Sequence, residues 1–188
     1  MCVTDTELGQ RQSQIEAIVA DTLQQAAELG ASQAEVSGSA GSGLSVTVRK
    51  QAVETLEYHR DQGLSVTVYF GHRKGSASTS DMQPTSVTET VRKACALARY
   101  GSEDKAAGLA EADRMAPDFP DLSLYHPWPL DADEAIRLAT ACEAAALDAD
   151  SRINNSEGAT VHSHEGCRVY GNSHGFLAGY PDSHHGVS

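Results

Sequence analysis

The chain has 188 residues, 40% hydrophobic and 21% charged, a balance that fits a folded globular unit and excludes a disordered one. Its formal net charge of −12 leaves no basic footprint for counterion release, so direct DNA or RNA binding is discounted. No run approaches the ~18 consecutive apolar residues of a membrane span. The start, "MCVTDTELGQ", has neither the basic nor the apolar region of a secretory signal, so a cytoplasmic location is expected.

In chain order, residues 7–29 predict a helix. Ile15, Ile18, Val19, Leu23, Ala26 and Leu29 recur at helical spacing, and Gly30 supplies the stop. Residues 33–80 then switch to a period of two. "QAEVSGSAGSGLSVTVRK" reads as two short strands around a Gly/Ser turn, followed by "ETLEYHR", "GLSVTVYFGHR" and "KGSASTSDM". Short strands at close spacing predict an antiparallel meander with one apolar face. Pro84 opens a second helix over 85–100, with "SVTE" at Ser86–Glu89 as a capping box. Residues 101–150 hold 12 acids against 3 bases. Their first part, to Leu130, reads as a connector with a short helix at Lys105–Glu111. A third helix over 131–149 starts at Asp131, with Glu134 completing a second capping box, and strands fill 152–188. The expected fold is α+β, a mostly antiparallel sheet of short strands with three helices on one face. Residues 1–188 read as one domain. The ending "FLAGYPDSHHGVS" reads as a strand under way, which predicts a piece of a longer chain.

The candidate chemistry concentrates in "GATVHSHEGCRVYGNSHG", Gly158 to Gly175. On a strand, His162 and His164 share a face, a two-imidazole start for a metal site that needs a third ligand from His174 or Glu165. Glu165 faces the other way. The alternative is a polar sheet face exposed to solvent. "HEGCR", His164–Arg168, fails as HExxH, because position i+4 is Arg168 and that motif needs a helix. Cys167 with His162 or His174 lacks the electropositive pocket of a reactive thiolate. Cys2, Cys95, Cys142 and Cys167 contain no CxxC and read as reduced thiols. "GSAGSG", Gly38–Gly43, lacks the GK[ST] of a P-loop and reads as a hairpin turn. His184 and His185 read as surface residues.

Two segments carry a resemblance. "GLSVTVRKQAVETLEYHRDQGLSVTVYFGHRKGSASTSDM" resembles the amino-terminal β-meander of the TldD/PmbA family. "LSLYHPW", the following D-x-D-E helix, "RINNSEGATVHSHEG" and "YGNSHGFLAGY" are similar to its PmbA (TldE) branch. The resemblance covers the chain from about Ala34 onward. It implies a parent more than twice this length and a cytosolic TldD–TldE heterodimer acting as a zinc metallopeptidase. That pair processes unfolded peptides, matures a peptide antibiotic, degrades an antitoxin and is linked to modulation of DNA gyrase. The family's zinc motif, HExxxH with a later cysteine, belongs to the TldD-like partner. Here the position that would close it after His164–Glu165 is Val169. So no catalytic, cofactor-binding or metal residue is carried over, and zinc is expected in the partner. The alternative is a stand-alone protein-interaction module without a proteolytic role.

Overall fold

The computed structural model describes residues 5–116 and 119–188, with the side chains of residues 5 and 6 left aside. Cys2 lies outside the described residues. The elements run α1 (Asp5–Glu28), β1 (Gln33–Arg49), β2 (Ala52–Phe70), β3 (Arg73–Thr79), α2 (Pro84–Tyr100), α3 (Ala132–Asp148), β4 (Ala159–Asn172) and β5 (Leu177–Val187). All strand pairs are antiparallel, in the order β3-β2-β1-β4-β5. Three helices and a five-stranded sheet make the α+β fold expected of the sequence.

Strand parity explains why the helices share one face. Even-numbered β1 residues Ala34, Val36, Ala40, Leu44, Val46 and Val48 are all buried. Their partners Val66, Val68, Val161 and Cys167 are buried too, as is Val169 opposite Gly38. The apolar stripes of α1 (Ile15, Val19, Ala26) and α2 (Val87, Val91, Ala94, Ala98) close the core over one half of this surface. Ala135 and Ala139 of α3 close it over Leu44, Val46, Val48 and Val161. Each fully buried valine contributes roughly 1.5–3 kcal/mol. Between the two cores runs the connector, whose Tyr125 packs on the first and whose Trp128 and Leu130 pack on the second.

The ends of the elements follow local chemistry. Helix α1 stops where Gly30, at φ +87°, donates to Ala27 O (2.9 Å) while Ala31 donates to Ala26 O (3.1 Å), the paired bonds of a Schellman motif. Helix α2 starts with Pro84 at its first turn and no side-chain cap. The expected Ser86–Glu89 box does not form, because Ser86 Oγ instead donates to Asp81 (2.6 Å). In α3, Asp131 accepts from Glu134 N as expected (2.8 Å), whereas the Glu134 carboxylate turns to Arg137 (2.6 Å).

Four boundary expectations are corrected. The stretch 38–43 is not a turn. It lies inside β1, paired without a break to both β2 and β4. Its small residues admit neighbouring side chains instead, as at Gly38, where a Cβ would collide with Ile15. The short strands expected between 52 and 70 are one 19-residue strand. The reversal falls at Lys50 and Gln51, both at positive φ (53° and 61°). That conformation is costly for residues other than glycine or asparagine. The carboxylate of Glu143, reaching across from α3, holds it by accepting from both backbone amides at 2.7 Å. Finally, 105–111 is not helical, a single 3-10 turn lies at Ala112–Arg114, and the strand expected from 152 begins at Ala159.

Candidate functional site

Helices cover one face of the sheet, so the odd-numbered positions of β1 and their partners form an open face. Register sets its contents row by row, read from β5 to β2. Ala178, Tyr170, Ser37 and Ser65 form one row, and Tyr180, Arg168, Ser39 and Gly63 the next. Then come Asp182, Gly166, Gly41 and Asp61, followed by His184, His164, Gly43 and His59.

His162 and His164 do share this face, but they do not converge on one point. His164 Nδ1 lies 3.2 Å from His59 Nε2, and His162 Nε2 lies 3.2 Å from His184 Nδ1. Each pair of rings is nearly coplanar, at 6° and 12°. The centroid separations of 5.4 and 5.2 Å exceed the N···N distances by about a ring width. The rings therefore meet edge to edge, as an N–H donor facing a ring-nitrogen acceptor. Such a contact needs a hydrogen on one of the two facing nitrogens and a lone pair on the other. Glycines make the room. A Cβ at Gly43 would strike His59, at Gly41 it would sit 2.7 Å from His164 Nε2, and at Gly186 2.8 Å from His162 Nε2. His59 went unnoticed in the sequence because its partner lies two strands away; the signal was Gly43 between them.

The other candidates lie elsewhere. Glu165 is buried on the helix face, as the strand period requires, and accepts from Tyr125 Oη (3.3 Å). Cys167 is buried in the core, where desolvation pushes its thiol up, so it forms no nucleophile pair with His162 on the opposite face. His185, expected at the surface, is engaged: its ring contacts Ser163 Oγ (3.0 Å) and the His126 carbonyl (2.8 Å) and packs T-shaped with Trp128.

His174 belongs to a turn that ties down the connector. Gln33 Oε1 accepts from Leu109 N (2.9 Å), so its amide nitrogen donates to His174 Nε2 (3.3 Å). The ring proton is then on Nδ1, which is buried without a partner. Asn172 Oδ1 accepts from His174 N, and its amide contacts Met115 Sδ.

Beside the histidine rows lies a cleft of about 660 Å³ on the same face. One side is a wall of Tyr170, Phe176, Tyr180 and Phe119, with Phe119 6.5 Å from Phe176 and 6.2 Å from Tyr180 between ring centroids. The other side is a low shelf of Ser37, Ser39, Gly63, Ser65 and Ser78. At one end, Glu35 accepts from both Tyr69 Oη (2.9 Å) and Tyr170 Oη (3.0 Å). Burial, then this carboxylate, pushes the Tyr69 phenol up to about 12.

The model of PmbA/TldA metallopeptidase domain 1 matches residues 34–98, and that of the central domain matches residues 125–188. Metalloprotease PmbA of Escherichia coli O157:H7 is 45% identical over 182 residues, 94% of this chain. The chain belongs to the PmbA/TldD family. The PmbA homolog of Haemophilus influenzae is also 45% identical, over 96% of the chain. The chain spans 40% of the length of each of these two relatives.

The fold recurs in a Bacteroides thetaiotaomicron protein described as a candidate modulator of DNA gyrase. Its TM-score is 0.82 at 24% identity, over 98% of this chain and 40% of that one. It recurs also in TldE from Thermococcus kodakarensis, with a TM-score of 0.64 at 14% identity over 88% and 37%. At these identities the likeness speaks for fold alone. The two matched family segments share one sheet here, joined by the β1–β4 pairing. The relatives' name implies a metal. Among the described residues no group of three or more His, Cys, Asp or Glu is placed to hold one. His59 with His164 and His162 with His184 stand in hydrogen-bonded pairs, an arrangement among the described residues that does not fit a three-ligand catalytic centre. Among the described residues no helix is long and apolar enough to cross a membrane.

Proposed function

We propose that this chain is the leading part of a PmbA/TldE-type subunit of a cytoplasmic metallopeptidase. Its zinc sits in a TldD-like partner, and its substrates are unfolded peptides. In this reading the 188 residues form one unit that binds substrate and supports assembly, while the metal chemistry belongs to the other subunit. The observation that carries it is the 45% identity to metalloproteases named PmbA over nearly the whole chain. The open face supports the division of labour. It offers a broad cleft of hydroxyls and aromatic rings, the surface a peptide-binding subunit needs, and its imidazoles are paired with each other. The test is affinity purification of the tagged full-length parent from its native cells, with mass spectrometry of what accompanies it. A stoichiometric partner carrying HExxxH is the expected result. A clean preparation without one refutes the heterodimer and leaves a stand-alone interaction module.

A further inference from the structure

We infer that the cleft on the open face binds the carboxy-terminal residue of a peptide, taking an aromatic or large aliphatic side chain together with its free α-carboxylate. The choice of a peptide rests on the reading above. The choice of its end rests on the cleft itself.

At about 660 Å³ the cleft is within the range of small-ligand sites, which combine apolar walls with a few placed polar groups. Its wall is a continuous aromatic surface. Phe119 touches Phe176 and Tyr180, and Tyr170 lies 6.0 Å from Phe176 between centroids. The Tyr170 hydroxyl is tied to Glu35, so its ring is held in place at the wall. An apolar side chain laid here leaves water for a surface of aromatic rings, one of which, Tyr170, is already held in place. The shelf opposite carries hydroxyls that donate or accept, which suits a peptide backbone of any sequence.

One charge selects which part of a peptide enters. Among the described residues Arg168 is the one charged residue lining the cleft, in a chain of net charge −12. Register places it between Tyr180 and Ser39, where wall meets shelf. Its partner Asp182 is loose, with Arg168 Nε 3.8 Å from Asp182 Oδ2 and the Arg168 side chain 64% exposed. A guanidinium has five donors in a planar fork that matches a carboxylate in two bonds, so the fork has donors to spare beyond that contact. A carboxylate on Arg168 sits beside the aromatic wall, the relation that a terminal residue's own side chain and α-carboxylate require. An internal apolar residue brings no charge to that point, and an internal Asp or Glu brings its carboxylate without an apolar side chain on the same residue.

The test is calorimetric titration of the full-length parent with three peptides: acetyl-Gly-Gly-Phe as the free acid, the same peptide as its carboxamide, and acetyl-Gly-Gly-Gly as the free acid. The phenylalanine acid is expected to bind about tenfold or more tighter than its carboxamide, since a charge-assisted bond is worth about that factor, and tighter than the glycine acid, which leaves the aromatic wall uncovered. Arg168→Gln, a change at an exposed side chain, is expected to abolish the preference for acid over amide. Tyr180→Ala is expected to weaken the phenylalanine peptide and leave the glycine peptide unchanged. Equal binding of acid and amide overturns the inference, and so does a preference that survives Arg168→Gln. Absence of saturable binding in the full-length parent also overturns it, with another segment or partner covering the cleft. The outcome is separable from the purification experiment. A preference for acid in a protein without an HExxxH partner sinks the heterodimer and keeps this site; a partner without the preference does the reverse.

Discussion

Gly75 is the position where a single methyl group should do the most damage. It lies on β3 opposite Val68, facing α2. A Cβ there would come within 2.9 Å of Ala98 Cα and closer still to Ala94 O and Ala98 N. Ordinary contact begins at 3.4 Å, so α2 must back away by at least 0.5 Å, the difference between the two. The obstacle is backbone on every side, and no rotamer change relieves it. Overpacking that shifts side chains or backbone costs about 1–3 kcal/mol, and with only backbone to move Gly75→Ala belongs at the upper end, about 3 kcal/mol. The displaced helix contributes Val87, Val91, Ala94 and Ala98 to the core. For a unit of this size the expected fall in Tm is about 6–12 °C. The control is Gly63→Ala, whose nearest neighbour, Thr79 O, is 3.9 Å away, and which should stay within about 0.5 kcal/mol. Both are measured by thermal denaturation of the full-length parent, following circular dichroism. If Gly75→Ala melts together with Gly63→Ala, the argument that α2 rests on the bare backbone of β3 is wrong.

Two further outcomes are expected. Glu143 titrates below the ordinary glutamate value of 4.5, chiefly because its carboxylate accepts from the Gln51 amide, with Lys50, Ser156 and the Gln51 side chain adding to it. A depressed folded value means stability that is fully present above 4.5 and lost as pH falls through the folded value. Glu143→Gln should therefore lower Tm at neutral pH, with the gap to the native protein closing in acid; a gap independent of pH refutes the role of the charge. Tyr69, raised to about 12 first by burial and then by Glu35, should ionise late in an ultraviolet titration. Its contribution to stability should be lost as pH rises from 10.0 towards about 12. Glu35→Gln should bring the ionisation partway back, leaving the burial component; an unchanged midpoint excludes the Glu35 contact.

Much of the fold was legible in the sequence because it rests on local periodicity. The 3.6-residue stripe of Ile15, Val19 and Ala26, and the two-residue alternation of Leu64, Val66 and Val68, each imply an element and its buried face. Gly30 and Pro84 mark ends for conformational reasons that need no partner. The reversal at Lys50–Gln51 carries no local turn signal. What holds it is Glu143, about ninety residues away in sequence. The glycines at 38–43 misled for the converse reason: a residue without a side chain signals a turn or a close approach equally well, and only the neighbouring strands decide which.

The candidate site shows the same division. Strand parity alone placed His162 and His164 on one face and Glu165 on the other. The alignment of β2, β1, β4 and β5 brought His59 to His164 and His184 to His162, and stood Arg168 beside Tyr180 above a shelf of serines. Parity is a property of one strand and is written in its residues. Register between strands is set by the whole sheet and the helices packed on it, so the pairing of the imidazoles and the shape of the cleft belong to the tertiary structure.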